Sequence, residues 1–182
     1  MTLSKTPAKG ATPFGVAILA AGASRRMGRP KLLLPWQETT VIGHIVGQWR
    51  ELGAAQIIVV HRPNDSALVA ELDRLNFPAQ NRVENPQPER GMFSSILCVA
   101  RWNGWDKEIT SYAIALGDQP HLRLDTLRAL LEFHALRADA RRPVIIHLKG
   151  VQCAVRLRAN LYLLKTGRAV SYRQRLVKSR QH

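Results

Sequence analysis

The sequence predicts an α/β fold in which a mostly parallel central sheet is covered by helices on both faces. Three short apolar runs, at 14–19, 56–60 and 112–116, consist largely of aliphatic residues and are typical of buried parallel strands. These runs are separated and followed by longer stretches, in which apolar residues recur at the spacing of an amphipathic helix. Such an alternation of strands and helices is the pattern of a parallel sheet with helices packed against it.

The other elements follow from local signals along the chain. Residues 40–52 carry apolar side chains at helical spacing and end at Gly53, a common helix C-cap. Asn64 and Asp65 are candidate N-caps of the next helix. The remaining expected elements are a short strand at 82–84, a Pro-rich turn at 85–91, a helix at about 92–102, a helix at 124–138 with Leu127, Leu130, Leu131 and Phe133 on its inner face, and a strand at 143–148.

Length and composition indicate a soluble globular protein of one domain. The 182 residues are enough to bury a sizeable core. No apolar run has membrane-spanning length, and residues 1–12 lack the apolar centre of a signal peptide, so they are expected to be a disordered polar tail of a cytoplasmic protein. Cys98 and Cys153 form neither a disulfide framework nor a metal-ligand pair at a useful spacing, and Cys98 is expected to be a core thiol.

Positive charge is concentrated in the C-terminal part of the chain. The formal net charge is +14, but residues 1–140 hold 16 Lys and Arg against 13 Asp and Glu, whereas residues 141–182 hold 11 Lys and Arg and no acid. Because the body is nearly balanced, this distribution argues against nucleic acid as the partner. A nucleic-acid-binding domain led by the tail stays an alternative, and the tail alone would then bind DNA with a steep salt dependence.

A loop of small residues and cations follows the first apolar run. Ala20, Ala21 and Gly22 break the run, and no acid lies among the cations that come next, which are Arg25, Arg26, Arg29 and Lys31. Backbone amides that a ligand can approach, combined with fixed positive charge, are typical of an anion site, most often a phosphate site. The alternative is a strand followed by a solvated basic loop. Neither the P-loop motif nor the Gly-rich dinucleotide turn occurs here.

Segment 19–31 resembles the opening signature of MobA-like nucleotidyltransferases, L-A-A-G-x-S-x-R-M-G-x-x-K. Nine specified positions match without a gap, namely Leu19, Ala20, Ala21, Gly22, Ser24, Arg26, Met27, Gly28 and Lys31. Two further stretches resemble family segments in the same order. Residues 85–95 fit N-P-x-x-x-x-G-M-x-S-S, and residues 116–120 fit L-x-D-Q-P.

The resemblance implies a three-layer Rossmann-like nucleotidyltransferase fold over residues 13–148 that binds a nucleoside triphosphate with Mg²⁺. Members of the molybdenum cofactor cytidylyltransferase type transfer CMP from CTP to the terminal phosphate of molybdopterin and release pyrophosphate. Ala21 favours CTP over GTP, because guanylyl-transferring relatives usually have glycine at that position. The implied partners are CTP or another NTP, a molybdopterin-type phosphorylated acceptor, and a molybdoenzyme or its chaperone.

The resemblance also implies roles for individual residues. Lys31 and Arg26 would be catalytic, Asp118 would hold the metal ion, and the nucleotide would contact Leu19, Ala20, Ala21, Gly22, Ser24, Gly28, Asn85 and Ser94. For Asn85 and Ser94 the alternative is simple capping of a helix, and for Asp118 it is a turn-forming role before proline. Because the loop after residue 19 and the loop at Asp118 each follow a parallel strand, both are expected at the same edge of the sheet.

The resemblance ends at about residue 149, and segment 149–182 reads as an atypical basic tail. It is a basic helix with Leu157, Leu161 and Leu164 at helical spacing, or a binder of an anionic partner, or the product of a slipped reading frame, which resequencing the source locus tests. No carboxylate follows Asp139, so this segment cannot supply a second metal ligand. A catalytically impaired nucleotide-binding protein, or a guanylyl or other nucleotidyltransferase of the family, is therefore an alternative to the active cytidylyltransferase.

Overall fold

The structure is a computed structural model that describes residues 13–22, 30–109 and 111–135, together with the backbone of four later strands. The strands are β1 (Phe14–Leu19), β2 (Pro35–Trp36), β3 (Thr39–Thr40), β4 (Gln56–His61), β5 (Arg82–Glu84), β6 (Ser111–Leu116), β7 (Val144–Leu148), β8 (Val151–Val155), β9 (Tyr162–Lys165) and β10 (Arg168–Ser171). The helices are α1 (Val41–Glu51), α2 (Ser66–Arg74), α3 (Met92–Arg101) and α4 (Leu124–Ala135), with short 3₁₀ turns at Lys31–Leu33, Ala79–Asn81 and Pro88–Arg90.

Six of these strands form one sheet in the order β5-β4-β1-β6-β8-β7. β1 pairs in parallel with β4 on one side and with β6 on the other, and β5 continues the parallel part beyond β4. β8 is antiparallel to both β6 and β7. The predicted α/β fold with a mostly parallel central sheet is therefore confirmed. The strand predicted at 143–148 is present as β7, but it pairs with β8, which the sequence pattern did not predict.

Helices cover both faces of the sheet and give the predicted three layers. Because side chains alternate along a strand, β1 contributes Val16 and Ile18 to one core and Ala17 and Leu19 to the other. The first core is shared with α1, α2 and α4 through side chains that include Ile42, Val46, Trp49, Leu68, Leu72, Leu127 and Leu130. The second is shared with α3 through Ile96 and Val99. Full burial of such an aliphatic side chain contributes about 1.5–3 kcal/mol, so both faces of β1 stabilise the centre of the fold.

Side-chain caps fix where the first helices begin. The Thr40 hydroxyl accepts a hydrogen bond from the Gly43 amide at 3.1 Å and starts α1. Gly53, just beyond α1, has the positive φ of 79° that a helix C-terminus commonly requires, as predicted. Of the two predicted caps for α2, Asp65 is the one used, since its carboxylate accepts from the Leu68 amide at 3.4 Å.

Three expectations need correction or lie beyond the described residues. The apolar spacing predicts Phe133 inside the core, but it is 39% exposed and does not belong to the buried face of α4. The predicted basic helix is wrong at Leu164, which lies in β9 and pairs with β10 in an antiparallel ribbon. Residues 1–12, 136–138, Leu157 and Leu161 fall outside the described part of the chain. None of the helices in that described part has both the length and the apolar character needed to cross a bilayer.

Candidate active site

The strands β1, β4 and β6 end side by side at one edge of the sheet. In the register of the sheet, Leu19 lies between Val60 of β4 and Leu116 of β6. Just beyond, the Ala20 amide donates to the Val60 carbonyl oxygen at 2.7 Å, and the Gly117 amide donates to the Leu19 carbonyl oxygen at 2.9 Å. These two hydrogen bonds hold the loop after β1 between the ends of its neighbouring strands, which is the usual ligand position in an open parallel sheet.

An open cleft of about 420 Å³ lies at this edge. Its walls come from the loop after β1, the 3₁₀ turn at Lys31–Leu33, the turn that precedes α3 with the first residues of that helix, and the end of β6. The lining residues are Leu19, Ala20, Ala21, Gly22, Lys31, Leu32, Pro88, Gly91, Met92, Ser95, Leu116 and Asp118. The cleft thus joins all three of the sequence segments that carry the family motifs.

The backbone at Lys31 is held by the turn that follows the basic loop. The Leu33 and Leu34 amides donate to the Pro30 and Lys31 carbonyl oxygens at 3.0 and 3.3 Å, which closes the turn. The leucines at 32–34 are half-buried and pack against the core that α1 shares with the sheet. This anchoring fixes the base of the Lys31 side chain, which lines the cleft as a cation.

Asp118 reaches the cleft because β6 can end very close to β1. A Cβ added at Gly117 would lie only 2.9 Å from the Leu19 carbonyl oxygen, so this approach of two backbone segments requires glycine. Asp118 follows at once, is exposed and lines the cleft. On the other side of its loop, Gln48 of α1 donates through Nε2 to the Leu122 carbonyl oxygen at 2.7 Å and ties the loop to the helix.

The carboxylate chemistry of the cleft fits a hard divalent cation that takes most of its ligands from water and substrate. Asp118 supplies one exposed carboxylate, and no described residue forms a hydrogen bond or ion pair with it. Within the described ranges, no group of three His, Cys, Asp or Glu side chains could hold a metal ion by itself. Mg²⁺ is commonly bound by one or two carboxylates together with waters and substrate phosphates, so a single aspartate is compatible with it.

Asn85 and Ser94 form a buried hydrogen-bond cluster behind the cleft. Asn85 is 1% exposed, and its Nδ2 donates to Ser94 Oγ at 2.8 Å and to Ser95 Oγ at 3.0 Å. Its Oδ1 accepts from the Gln87 amide at 3.0 Å, while Ser94 Oγ donates to the Gly91 carbonyl oxygen at 2.8 Å. The cluster fixes the turn before α3, and Ser95 is the hydroxyl that lines the cleft.

Six of the predicted site residues line this one cleft, namely Leu19, Ala20, Ala21, Gly22, Lys31 and Asp118. Ser24, Arg26 and Gly28 belong to segment 23–29, which lies outside the described residues. Ser95 was not predicted as a site residue, although the motif contains both serines. Ser94 and Ser95 are distinguished by the burial of Asn85 and by the direction of its hydrogen bonds, and neither property can be read from a motif.

Known proteins resemble the chain at the level of both sequence and structure. Bifunctional protein GlmU of Clavibacter sepedonicus is 31% identical over 123 residues, which cover 66% of this chain and 24% of that protein. Nicotine blue oxidoreductase of Paenarthrobacter nicotinovorans is 33% identical over 118 residues, which cover 64% of this chain and 55% of that protein. The chain therefore spans from about a quarter to about half the length of these relatives.

Among solved structures, Rv0371c of Mycobacterium tuberculosis H37Rv superimposes with a TM-score of 0.54 at 32% identity, covering 70% of this chain and 63% of that chain. Its complex with manganese gives a TM-score of 0.50 at 28% identity, covering 69% of this chain and 61% of that chain. The sequence model of the MobA-like NTP transferase domain matches residues 16–176. That match extends over well more than half of the sequence and past residue 148, and the chain belongs to the MobA-like NTP transferase domain family.

Proposed function

We propose that the protein is a nucleotidyltransferase that transfers CMP from CTP to a phosphorylated acceptor, molybdopterin, and releases pyrophosphate. The observation that carries the proposal is the single cleft in which the amide-bearing loop after β1, the cation of Lys31 and the carboxylate of Asp118 converge. A polyanionic triphosphate and its metal ion need those three kinds of group. The family description, which names an NTP transferase domain, supports the same reaction class.

The chemistry asks for positioning and charge stabilisation more than for covalent work by the protein. An acceptor phosphate attacks the α-phosphorus in line, the bond to the β-phosphate oxygen breaks, and pyrophosphate leaves. In our proposal, the backbone at Ala21 and Gly22 binds the triphosphate, and Lys31 offsets the negative charge that develops at the α-phosphate. An electrostatic contact of this type stabilises the transition state by about 2–4 kcal/mol. Ser24, Arg26 and Gly28 are proposed to extend the phosphate-binding loop.

Asp118 is the residue proposed to hold Mg²⁺. The metal, when bound, would neutralise phosphate charge and orient the triphosphate oxygens. The manganese complex of Rv0371C supports a divalent cation in a protein of similar sequence and structure. No described residue forms an ion pair with Asp118, so its carboxylate is available to bind a metal ion.

The choice of CTP and of molybdopterin is the finer part of the proposal. Ala21 lines the cleft and is the residue that favours CTP over GTP in the family signature. A molybdoenzyme or its chaperone is the proposed recipient of the product. A nucleotide-binding protein with impaired catalysis is the second candidate, because no Asp or Glu follows Asp139 and Asp118 is the carboxylate that lines the described cleft.

Calorimetric titration with CTP, GTP and ATP, with and without Mg²⁺, tests the nucleotide half of the proposal. Lys31→Ala is compared with Lys107→Ala, which removes an exposed lysine in the loop before β6. We expect CTP to bind with Mg²⁺ dependence, Lys31→Ala to weaken that binding, and Lys107→Ala to leave it unchanged. Unchanged CTP binding in Lys31→Ala would refute the role of Lys31.

Pyrophosphate release with molybdopterin as acceptor then separates an enzyme from a binder. We expect Lys31→Ala to lower kcat/KM by about 30- to 1,000-fold, which corresponds to the loss of about 2–4 kcal/mol of transition-state stabilisation. Asp118→Asn is expected to lower turnover and to weaken the Mg²⁺ dependence of CTP binding. If wild type binds CTP but releases no pyrophosphate with this acceptor, the second candidate is favoured.

A further inference from the structure

We infer that Ser95 is a nucleotide-binding residue whose hydroxyl donates a hydrogen bond to an acceptor atom of the bound nucleotide. The inference rests on the proposed function, because it identifies a further contact in the same cleft. Ser95 lies in the first turns of α3, and it lines the cleft together with Gly91 and Met92. Its overall exposure is only 4%, so little of its surface other than the part toward the cleft is open to a ligand.

The direction of the hydrogen bond from Asn85 determines what Ser95 can do. The Oδ1 atom of Asn85 accepts from the Gln87 amide at 3.0 Å, which identifies the atom facing the serines as the amide nitrogen. Nδ2 then donates to Ser95 Oγ at 3.0 Å. Ser95 is an acceptor in this bond, so its own proton is not used by Asn85. Buried hydroxyl protons are normally paired, and no acceptor for this one is found in the described part of the chain.

Ser94 shows the contrast within the same cluster. Its Oγ also accepts from Asn85 Nδ2, at 2.8 Å, but its proton is donated to the Gly91 carbonyl oxygen at 2.8 Å. Both hydrogen-bonding functions of Ser94 are therefore satisfied within the protein. Asn85 and Ser94 position the turn before α3, while Ser95 presents a donor to the cleft.

This polarity selects the chemistry of the ligand group that lies against the first turn of α3. A carbonyl oxygen, a ring nitrogen with a lone pair or a sugar or phosphate oxygen can accept the Ser95 proton. A group that offers only a proton could bind the remaining lone pair of Ser95 Oγ but would leave the Ser95 proton unpaired. Ser95 therefore favours nucleotides that present an acceptor to this wall of the cleft.

Calorimetric titration of CTP with Mg²⁺ into wild type, Ser95→Ala and Ser94→Ala tests the inference, with melting temperatures measured to verify folding. The loss of one neutral hydrogen bond predicts about 2- to 10-fold weaker binding for Ser95→Ala. Alanine is favourable within a helix, so this variant is expected to fold. Ser94→Ala is the comparison within the same cluster: its melting temperature is expected to fall, and its loss of CTP affinity is expected to be smaller than that of Ser95→Ala.

Wild-type affinity in Ser95→Ala overturns the inference, and so does an equal loss in both variants, because the turn rather than the Ser95 proton would then set the affinity. Lys31→Ala, measured in the same series, separates this inference from the proposed function. If wild type binds CTP and Lys31→Ala weakens it, an unaffected Ser95→Ala contradicts only the role of Ser95. If wild type binds no nucleotide, the proposed function fails and the inference fails with it.

Discussion

Replacement of Gly117 by alanine should destabilise the fold and disturb the site at once. The new Cβ would lie 2.9 Å from the Leu19 carbonyl oxygen, 3.2 Å from Leu32 Cδ2 and 3.5 Å from the Ala20 Cα. The nearest of these atoms belongs to the backbone and accepts the Gly117 amide hydrogen bond at 2.9 Å, so it cannot rotate away as a side chain would. Overpacking of this type costs about 1–3 kcal/mol.

For a chain of this size, that cost corresponds to a decrease in melting temperature of about 2–12 °C. Gly47→Ala is the matched control, because nothing lies within 4 Å of a Cβ placed there in the interior of α1. The control should stabilise the protein by about 0.5–1 kcal/mol through helix propensity. Urea denaturation of both variants measures the two changes with opposite expected signs.

The same substitution should also lower turnover, because Asp118 is the next residue in the chain. Relief of the contact with the Leu19 carbonyl oxygen requires the ends of β6 and β1 to separate, and a displacement near 1 Å in an active site can cost about 100-fold in rate. Pyrophosphate release at saturating CTP measures this effect. A Gly117→Ala protein with wild-type stability and wild-type turnover would refute the argument that this close approach requires glycine.

Two further predictions concern ionisable groups outside the cleft. The Arg74 guanidinium, with a smaller contribution from the Thr40 hydroxyl, lowers the pKa of Glu71 below its ordinary value of 4.5. Glu71→Gln should therefore lower the free energy of unfolding by about 1 kcal/mol at pH 7. This difference should disappear as the pH falls below 4.5 and through the lowered pKa, because only the ionised carboxylate of the folded state is stabilised. Urea denaturation across this pH range measures it, and a cost independent of pH would contradict the prediction. Burial raises the pKa of the Cys98 thiol despite the nearby Arg101. In a Cys153→Ala background, iodoacetamide should therefore alkylate the native protein at pH 7 much more slowly than the urea-unfolded protein. Equal alkylation rates would exclude a protected thiol.

The centre of the fold could be predicted from the sequence because its signals are local and mutually consistent. The run at 56–60 is aliphatic and β-branched at nearly every position, as a strand buried on both faces requires, and it became β4. Phe133 shows the limit of the same reasoning. Apolar spacing places it beside the inner residues of α4, but the width of the buried face is set by the packing of the neighbouring elements, and Phe133 falls outside that face.

The site could be predicted at the level of loops but not at the level of every side chain. Parallel strands end at a common edge, and this rule alone predicts that Lys31 and Asp118 meet in one cleft. The direction of the Asn85 amide does not follow from any spacing, since it depends on the Gln87 amide, which reaches Oδ1 through the turn. For that reason the sequence cannot distinguish the roles of the two serines in the motif, whereas the structure does.

The antiparallel strands at the edge of the sheet bear on the acceptor half of the site. β8 pairs Val155 with Ala113 and runs opposite to β6, so Val151 lies toward the edge at which β6 ends. Leu148 pairs with Val151, and the end of β7 therefore approaches the same edge as the cleft. In the proposed reaction, an acceptor phosphate would have to reach the α-phosphorus from a side of the cleft that the nucleotide does not occupy. The end of β7 and the start of β8 lie at this edge, so in the proposed reaction a change in these strand ends is expected to lower turnover more than CTP binding.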